Sequence, residues 1–400
     1  MRLLFVVQRY GWEVAGGAER HCREFATRLA ARGHEVEVLS TCAVSYVDWA
    51  NVYEPGTSTL DGVAVHRLPV AHPRDDRKFG SLNARVVWGR KPVPLYLQEE
   101  WMRSQGPYVP PLVSWLEQRA DSFQVVIFVT YLYYTTWRGL PAAAGLTSTV
   151  LHPTAHDEPP LYLPLFDLTF RLPSAFAFLT EEEASLVHRR FRVRKTSLVV
   201  GVGVDMKPGG DAATFRHASG LGERPYLVFV GRVDPAKGSD ELVDLFAAYK
   251  NRNPGPLALV VVGDPVQLPV THPDVIVTGF VDEATKQSIL AGALALVHPS
   301  YFESFSMVLT EAWAHRKPAL VQGHCEVLEG QVRRSGGGIP YRGFAEFEAA
   351  LDMLLENPGL ATALGEAGRR YVEQNYAWDT VLDRYEELLS LVEPRILSGT

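Results

Sequence analysis

The sequence predicts an α/β fold with two doubly wound halves, each a largely parallel sheet covered by helices on both faces. Short uninterrupted apolar runs alternate with segments of helical periodicity, as is typical of parallel strands and their crossover helices. This alternation begins at the N-terminus and begins again near residue 226. Between the two stretches, residues 207–223 are rich in glycine, proline and polar side chains, which indicates an interdomain linker or loop. A chain of 400 residues has room for two or three domains.

The first half starts with an apolar run at residues 3–7, which predicts a buried strand. A loop that ends in Gly16-Gly17 follows, and the apolar spacing of residues 18–31 then predicts a helix that Gly33 ends. Further strands are predicted at residues 34–41, 125–130, 147–151, 175–179 and 196–200, with a helix at residues 181–191. We assign residues 1–203 to a first domain.

The second half shows the same alternation without an evident sequence repeat. Strands are predicted at residues 226–230, 257–262, 275–277, 294–297 and 319–322, and helices at residues 239–252, 282–291, 306–314 and from Gly343 onward. We assign residues 204–376 to a second domain. Residues 378–391 are amphipathic and lie beyond the second sheet, so residues 377–400 form a separate terminal helix in this prediction.

Residues 72–111 interrupt the alternation and are rich in proline, cations and aromatic side chains. The cations are Arg74, Arg77, Lys78, Arg85, Arg90 and Lys91, and the aromatic residues include Trp88, Tyr96 and Trp101. One interpretation is a solvated insertion with a few anchoring aromatic residues. The other is a patch for an acceptor or an anionic membrane surface, with residues 74–103 making peripheral contact.

Charge and cysteine content narrow the class of protein. The net charge is −7, and residues 1–200 hold 22 Lys and Arg against 20 Asp and Glu, so there is no basic excess that would indicate nucleic-acid binding. Three widely spaced cysteines without a C-x-x-C motif argue against a disulfide framework and a structural zinc site. No apolar run approaches the roughly 18–20 residues that span a bilayer. We therefore expect a cytoplasmic protein, soluble or peripheral on the inner membrane face.

The most informative stretch contains two glutamates around a predicted helix start. Glu303 lies in the turn before the helix, and Glu311 lies within it. Eight residues at about 1.5 Å each would place them roughly 12 Å apart, the span from ribose to hexose in a nucleotide-sugar bent around its diphosphate. The helix N-terminus between them favours phosphate, and each carboxylate can accept hydrogen bonds from sugar hydroxyls. For either glutamate alone, a solvated surface position is the simpler interpretation.

The turn after the first strand of the second half carries Arg232 and Lys237, followed by Gly238. Two cations five residues apart on one strand-to-helix turn can clamp a diphosphate, although ordinary surface charges are the alternative. Both are expected at the sheet edge that carries the two glutamates. The combination predicts a binding site for a nucleoside-diphosphate-sugar.

Polar residues in the first half follow strand ends as well. Gly16 and Gly17 precede a helix and would let the backbone approach an anion, but no G-x-G-x-x-G fingerprint is present. His156, Asp157 and Glu158 follow a strand at its carboxyl end, where doubly wound folds place their ligands. This loop is interrupted by prolines, so its histidines do not predict a metal site.

These residues resemble the retaining glycosyltransferases of family 4, which have the GT-B fold. The resemblance covers essentially the whole chain. Its specific carriers are the Glu-x7-Glu element from Glu303 to Glu311 and the Gly-Arg…Lys-Gly turn at residues 231–238. The Gly-Gly-Ala-Glu stretch at residues 16–19 and the His-Asp pair at residues 156–157 are weaker carriers.

The resemblance implies two Rossmann-like domains that face a cleft, with the nucleotide held by the second domain and the final helix packed back on the first. It implies that Glu311 binds ribose hydroxyls and that Glu303 binds a donor-sugar hydroxyl. It also implies that Arg232 and Lys237 hold the diphosphate and stabilise the leaving group.

The remaining site residues are implied by the same resemblance. Gly16 and Gly17 would lie near the phosphates from the opposite domain, and His156 near the donor sugar. Three further residues of the glutamate element would contact the donor: Ser304, Phe305 and Ser306. The family often has glycine where Ser304 and Ser306 stand, which leaves the choice of donor open.

The implied activity is transfer of a hexose from a nucleoside-diphosphate-sugar, with UDP- and GDP-sugars first, to a hydroxyl of a sugar, lipid-linked or small-molecule acceptor. No metal or other cofactor is implied, and the anomeric configuration is retained through a front-face path in which the leaving phosphate helps to deprotonate the acceptor. Asp157 or Glu158 could act as the base that deprotonates the acceptor. It is equally open that both only make polar contacts within their loop. The alternatives are a non-catalytic GT-B scaffold or partner subunit, and a GT-B nucleotide-sugar epimerase or phosphorylase.

Overall fold

The structure is a computed structural model that describes residues 1–14, 16–233, 237–263 and 272–392. It divides into two compact units. Unit 1 comprises Met1–Gly201 together with the chain from Leu382, and unit 2 comprises Val202–Val381. No helix of the described residues is long and apolar enough to cross a membrane.

Unit 1 is built on one sheet of eight described strands. In chain order these are β1 (Arg2–Val6), β2 (Glu35–Thr41), β3 (Gly56–Leu60), β4 (Val63–Leu68), β5 (Val125–Val129), β6 (Ser148–His152), β7 (Ala175–Phe178) and β8 (Thr196–Val199). Their order across the sheet is β3-β4-β2-β1-β5-β6-β7-β8, and only the β3–β4 pair is antiparallel. The strand order reverses between β1 and β5, which makes their carboxyl ends the switch point of this sheet.

The helices of unit 1 cover both faces of this sheet. They are α1 (Gly17–Ala31), α2 (Asp76–Val86), α3 (Leu95–Gln105), α4 (Pro111–Arg119), α5 (Tyr134–Ala143), α6 (Asp167–Arg171) and α7 (Glu181–Phe191). Strands β1 and β5 are apolar and almost wholly buried because they lie at the centre of the sheet with helices on both sides.

Seven described elements of unit 1 were not predicted as regular structure, namely β3, β4 and the helices α2 to α6. Residues 72–111, expected to interrupt the alternation, contain α2 and α3. Asp75 caps α2 by accepting a hydrogen bond from the Lys78 N–H, and Trp101 of α3 is 1% exposed within the core. The antiparallel strand β3 lies at the sheet edge with its side chains largely exposed, so it lacks the apolar run by which a central strand is found.

Unit 2 contains a parallel sheet of six described strands. They are β9 (Tyr226–Val230), β10 (Ala258–Val262), β11 (Val275–Gly279), β12 (Ala295–His298), β13 (Ala319–Gln322) and β14 (Gly338–Tyr341). The order is β11-β10-β9-β12-β13-β14, so the chain leaves β9 toward one edge and later returns beside it at β12. The switch point of this sheet is therefore between β9 and β12.

The helices of unit 2 begin inside the segment expected to be a linker. They are α8 (Ala212–Ala218), α9 (Ser239–Arg252), α10 (Glu283–Gly292), α11 (Met307–Ala314), α12 (Glu326–Ser335), α13 (Phe344–Glu356) and α14 (Pro358–Asn375). The expectation of an unstructured linker at residues 207–223 was wrong for α8, which Asp211 caps and which packs on α10. The Asp211 N–H also donates to the Ser288 hydroxyl at 2.9 Å.

The last described helix, α15 (Trp378–Leu391), belongs to unit 1 from Leu382 onward. Tyr385 is fully buried there, and its hydroxyl lies 2.9 Å from Nε2 of His152, while His152 Nδ1 lies 3.0 Å from Nε2 of His21. The Tyr385 ring also packs on Phe25, with ring centroids 4.9 Å apart. A buried chain of three polar rings thus fixes α15 onto α1 and β6. Residues 393–400 of the predicted terminal segment lie outside the described residues.

Candidate functional site

The two loops predicted to carry ligand-binding residues in unit 2 follow the adjacent strands β9 and β12. Register pairs Ala295 of β12 with Leu227 of β9, so the loops emerge side by side at the carboxyl edge. Crevices at such switch points are where doubly wound sheets bind ligands. Residues 234–236 of the predicted cation turn lie outside the described residues.

Lys237 and Glu303 meet directly across these two loops. The Lys237 ammonium donates to Oε1 of Glu303 at 2.6 Å, although the residues are 66 positions apart. The Glu303 side chain is only 13% exposed and the Lys237 side chain is 31% exposed. A cation and a carboxylate from the two predicted motifs therefore share one place at the switch point.

The charge of Glu303 is held by its neighbours. Burial alone would raise the pKa of this carboxyl, but Lys237, His298 and a hydrogen bond from Ser300 outweigh it and lower the pKa to about 2. Burial lowers the pKa of His298, whose Nε2 lies 3.7 Å from Glu303, to about 4. At neutral pH the arrangement is thus an ionised Glu303 beside an uncharged imidazole, with Lys237 as its counter-charge.

Gly238, the residue after Lys237, is required by the close approach of the two loops. Its φ is +69°, and a Cβ placed there would lie 2.5 Å from the carbonyl oxygen of Pro299. Only glycine combines this backbone conformation with that space. The close contact explains how Lys237 reaches the loop that carries Glu303.

The start of α11 is formed as predicted, with Ser306 at its N-cap. The Ser306 hydroxyl accepts a hydrogen bond from the Leu309 N–H at 3.3 Å, and its φ is +80°, a conformation that costs a non-glycine residue about 1–2 kcal/mol. The Phe305 ring is 3% exposed and packs edge-on against Tyr376, so a contact of Phe305 with a donor would come from its backbone. Ser304, the residue between Glu303 and Phe305 in the chain, is half-buried.

We expect opposite effects from two small substitutions at Ser306. Ser306→Gly removes the backbone strain. It also removes the capping hydroxyl, but glycine at an N-cap costs only a few tenths of a kcal/mol, so the free energy of unfolding should rise by up to about 1 kcal/mol. Ser306→Ala keeps the strain and loses the hydrogen bond, so stability should fall by about 1 kcal/mol. Thermal unfolding of the full chain should show midpoints moved by about 2–4 °C in opposite directions. A glycine variant as destabilised as the alanine variant would refute the strain argument.

Glu311 is held by a lysine that the sequence did not single out. Both of its carboxylate oxygens accept from the Lys286 ammonium, at 2.9 and 2.8 Å. The two side chains are 8% and 11% exposed, and Lys286 also pairs with Glu283 one turn earlier on α10 at 2.9 Å. Removal of one member of so buried a pair would leave an uncompensated charge.

Arg232, the other predicted cation, is the second residue after β9 and is exposed. It stands at the same carboxyl edge as Lys237 because both belong to the loop that β9 opens. Its exposed position leaves its side chain accessible to an anion from solvent. Its role stays a prediction.

The glycine stretch of unit 1 surrounds a buried ion pair. Glu19 Oε1 accepts from Arg9 Nη2 at 2.5 Å, from Arg9 Nε at 2.9 Å and from Gln8 Nε2 at 2.8 Å. A Cβ on Gly16 would lie 2.1 Å from the Glu19 carboxylate, whereas none of the described atoms lies within 4 Å of a Cβ on Gly17. The small size of Gly16 is thus explained by Glu19, and the space beside Gly17 is open.

The loop after β6 places His156 beside Glu158, with 3.4 Å between Nδ1 and Oε1. The two carboxylates considered as acceptor bases each accept from a tyrosine: Glu158 from Tyr131 at 2.9 Å and Asp157 from Tyr162 at 2.6 Å. These bonds are the polar loop contacts that were the alternative to a catalytic role.

A buried glutamate of α7 holds the loop that carries His156. Glu183 of α7 accepts from the Ala155 N–H at 2.7 Å and from the Leu179 N–H at 2.6 Å. Burial raises the pKa of this carboxyl to about 8, and the two backbone hydrogen bonds act against that rise. Glu183 therefore positions the residue directly before His156.

Sequence reasoning missed the residues that hold the predicted ones in place. These are Arg9, Glu183, Lys286 and His298. Their common signal is a charged or polar residue at a position of otherwise apolar periodicity, as for Lys286 between Glu283 and Ile289 of α10. Such a residue is buried only with a partner, and the partner is remote in sequence. In the described part of the chain no group of three or more His, Cys, Asp and Glu residues could hold a metal ion.

Known proteins place this site in a family. The family model described as "Glycosyl transferases group 1" matches residues 211–371, which include both loops of the switch point. The D-inositol 3-phosphate glycosyltransferase of Rhodococcus jostii is 30% identical over 399 residues, covering 92% of this chain and 83% of the relative. The chain belongs to the group 1 glycosyl transferases. The glycogen synthase of Mycobacterium tuberculosis is 24% identical over 95% of this glycosyl transferase and 92% of the relative.

Solved structures confirm the fold of this glycosyl transferase. The Anabaena protein HepE in complex with UDP-glucose aligns with a TM-score of 0.72 and 18% identity, covering 98% of this chain and 100% of the other. An Escherichia coli trehalose-6-phosphate protein bound with UDP-2-fluoro glucose aligns with a TM-score of 0.74 and 12% identity over 99% and 100% of the two chains. The predicted two-domain α/β architecture with parallel sheets is the GT-B fold.

Proposed function

We propose that this glycosyl transferase is a retaining enzyme of family 4 that moves a hexose from a nucleoside-diphosphate-sugar to an acceptor hydroxyl. The observation that carries the proposal is the Lys237–Glu303 contact at the switch point of unit 2, directly before the N-terminus of α11. A cation, a carboxylate and a helix start suit the phosphates and hydroxyls of a sugar diphosphate, and here they meet at one edge of the sheet.

The chemistry proposed for these residues follows from their charges. Departure of the nucleoside diphosphate develops negative charge on phosphate oxygens, which Lys237, Arg232 and the first N–H groups of α11 would stabilise. A lysine ammonium has three donors, so Lys237 can bond to Glu303 and to a phosphate at once. Glu303, kept ionised by Lys237, would accept a hydrogen bond from a donor-sugar hydroxyl, and Glu311 from the ribose.

The residues of unit 1 complete the proposal. Gly17, whose side is open, and Gly16 would let the backbone approach the phosphates, and His156 would contact the donor sugar. The imidazole of His156 can donate to or accept from a sugar hydroxyl. The small side chain of Ser304 and the backbone at Phe305 and Ser306 would contribute to donor selection.

A thermal-shift screen across UDP-, GDP-, ADP- and dTDP-sugars tests the donor. The UDP-glucose bound to HepE and the UDP-2-fluoro glucose bound to the Escherichia coli protein support UDP-glucose as the first candidate, with GDP-sugars next. A ligand that binds only the folded chain raises stability by mass action, by about 2.7 kcal/mol at a hundredfold excess over Kd. The donor found should then transfer its hexose with retained configuration, by NMR of the product, and should do so in excess chelator. If no nucleotide or nucleotide-sugar bound, a non-catalytic GT-B scaffold would replace the proposal.

We also propose that residues 74–103 contact an anionic membrane surface, as part of peripheral association with the inner membrane face. Trp88 is 66% exposed, and the neighbouring Arg85, Arg90 and Lys91 form no ion pair with any described residue. Exposed cations around an exposed indole suit anionic headgroups.

Liposome co-sedimentation tests the membrane contact. Wild-type chain should sediment with vesicles of anionic lipid and not with zwitterionic ones, and reversing Arg85, Arg90 and Lys91 to Glu should weaken this by about 100-fold or more, at about 1 kcal/mol per cation. Reversal of the exposed Arg192, Arg194 and Lys195 elsewhere on unit 1 is the matched control. Equal loss in both triple variants would mean that net charge alone governs binding.

A further inference from the structure

Unit 1 contains a cavity of about 460 Å³ whose lining includes neither the glycine stretch nor the His156 loop and draws largely on residues 74–103. It lies between the loop before α2, the outer face of α3, and the segment that follows α3, with Trp49 at its base. A volume of this size is within the range of small-molecule sites. Its lining is mixed, with aromatic rings, cations and carboxylates.

Among the described residues, Arg74 is the cation of this cavity that forms no ion pair, although Asp76 and Asp48 lie near enough to act on its charge. Its Nη2 donates to the Tyr46 carbonyl oxygen, and its guanidinium lies 5.6 Å from the centre of the Trp49 ring and 4.7 Å from that of Phe79. Arg74 forms no ion pair with a described residue, and its buried Nε has no hydrogen-bond partner among them. Burial lowers the pKa of Arg74, which reflects a charge held partly out of water.

The other two cations of the lining are paired with carboxylates, and the remaining carboxylate, Asp75, accepts a hydrogen bond from the Lys78 N–H at the start of α2. Lys78 of α2 pairs with Glu100 at 3.0 Å, and Arg103 pairs with Glu99 at 3.2 Å along α3. The charge of Arg74 is therefore the one that an incoming anion would meet without displacing a carboxylate from its cation. A planar guanidinium binds carboxylate and phosphate through two parallel hydrogen bonds.

Aromatic rings line the space beside Arg74. Tyr96 is 65% exposed at the rim, and Tyr108 stacks at a tilt with His72, with ring centroids 5.5 Å apart. Aromatic faces pack against the apolar C–H face of a pyranose, and Glu99 and Glu100 can each accept from hydroxyls while paired. The lining thus combines recognition of an anion with recognition of a polyhydroxylated ring.

We propose that this cavity is a binding site for an anionic sugar, with Arg74 taking its phosphate or carboxylate group and the tyrosines packing on the ring. Binding at this site does not depend on the proposed transfer reaction. If the transfer holds, the sugar is on the acceptor side, because the donor residues belong to unit 2.

Calorimetry with the full chain tests the proposal with four probes: glucose 6-phosphate, glucuronate, glucose and inorganic phosphate. We expect at least one of the two anionic sugars to bind at least tenfold more tightly than both glucose and phosphate. Preference for glucose 6-phosphate or for glucuronate distinguishes a phosphate from a carboxylate ligand. Absence of binding by both anionic sugars at millimolar concentration, or equal binding of phosphate alone, overturns the proposal.

Three variants locate the site. Arg74→Gln should weaken anionic-sugar binding at least tenfold, whereas Arg77→Gln, at an exposed cation three positions away, should leave it unchanged within twofold. Arg74 also bonds to the Tyr46 carbonyl, so Arg74→Gln could lower binding by disturbing the fold. Tyr96 is exposed, so Tyr96→Ala should leave the fold intact, and it should weaken anionic-sugar binding several-fold. Equal effects of Arg74→Gln and Arg77→Gln, with none from Tyr96→Ala, refute the site. The affinity of the same samples for nucleotide is measured separately. A chain that binds the anionic sugar but no nucleotide would contradict the proposed donor function and not the proposed cavity site.

Discussion

Replacing Lys237 with methionine is expected to lower kcat for sugar transfer by about 10²- to 10³-fold, the cost of removing one preorganised charge that stabilises a leaving group. Lys237 touches Glu303 at 2.6 Å and would touch the departing phosphate, so the variant loses both a phosphate contact and the group that keeps Glu303 ionised. Steady-state kinetics with the donor found by the thermal-shift screen measures the loss.

Lys207 provides the matched control, because it is an exposed lysine of the same unit. Lys207→Met should retain kcat within about twofold, since surface charges away from such sites have small effects. Glu303→Ala should abolish transfer as Lys237→Ala does, with the fold intact by circular dichroism. Full activity in both alanine variants would show that the switch point of unit 2 is not the active site.

The second large effect is expected at the buried pair of Glu311 and Lys286. Lys286→Met should lower the free energy of unfolding by about 3 kcal/mol, because the Glu311 carboxylate would remain buried without its cation. Urea unfolding measures this loss. Arg342→Met, which removes an exposed ion pair with Glu329 in the same unit, should cost less than about 1 kcal/mol.

A double variant separates the structural role of the pair from its role in binding. Replacing both Lys286 and Glu311 with methionine should bring stability back to within about 1 kcal/mol of the wild type, since apolar residues of similar volume often replace a buried ion pair without loss. Nucleotide binding, measured by calorimetry, should stay lost because the ribose would have no carboxylate acceptor. A double variant that binds nucleotide normally would remove Glu311 from the site.

Central strands and long helices of this chain were predictable because the apolar pattern of their consecutive residues indicates which side chains are buried. The predicted strand at residues 226–230 is β9, and the predicted helix at residues 239–252 is α9. The prediction of secondary structure failed where the local composition of the chain does not match the environment that the residues have in the fold. Edge strand β3 is polar because its side chains are largely exposed. Helices α2, α3 and α8 lie in stretches whose glycines, prolines and cations indicated loops.

The sequence indicated which motifs form the candidate site. It did not indicate which side chains of these motifs contact one another. The carboxyl ends of parallel strands meet at one edge, which is why Lys237 and Glu303 could be expected near each other. Their direct bond depends on the approach of Gly238 to the Pro299 carbonyl, a tertiary fact with no signature beyond a single glycine. The same holds for the bond between Lys286 and Glu311, whose partners come from different helices, and for Glu19, whose partner Arg9 lies across a loop.

The burial of Tyr385 in unit 1 has a consequence for synthesis of the chain on the ribosome. The place that Tyr385 occupies, between Phe25 and His152, is formed by residues that are translated before unit 2, whereas the helix that fills it is translated after unit 2. About 180 residues separate Gly201 from Leu382, and at roughly 5–20 residues per second their translation takes about 10–35 s. For that interval the surface formed by Phe25 and His152 in the first unit lacks the Tyr385 ring that covers it in the folded chain. The native state of unit 1 is completed only when α15 leaves the exit tunnel.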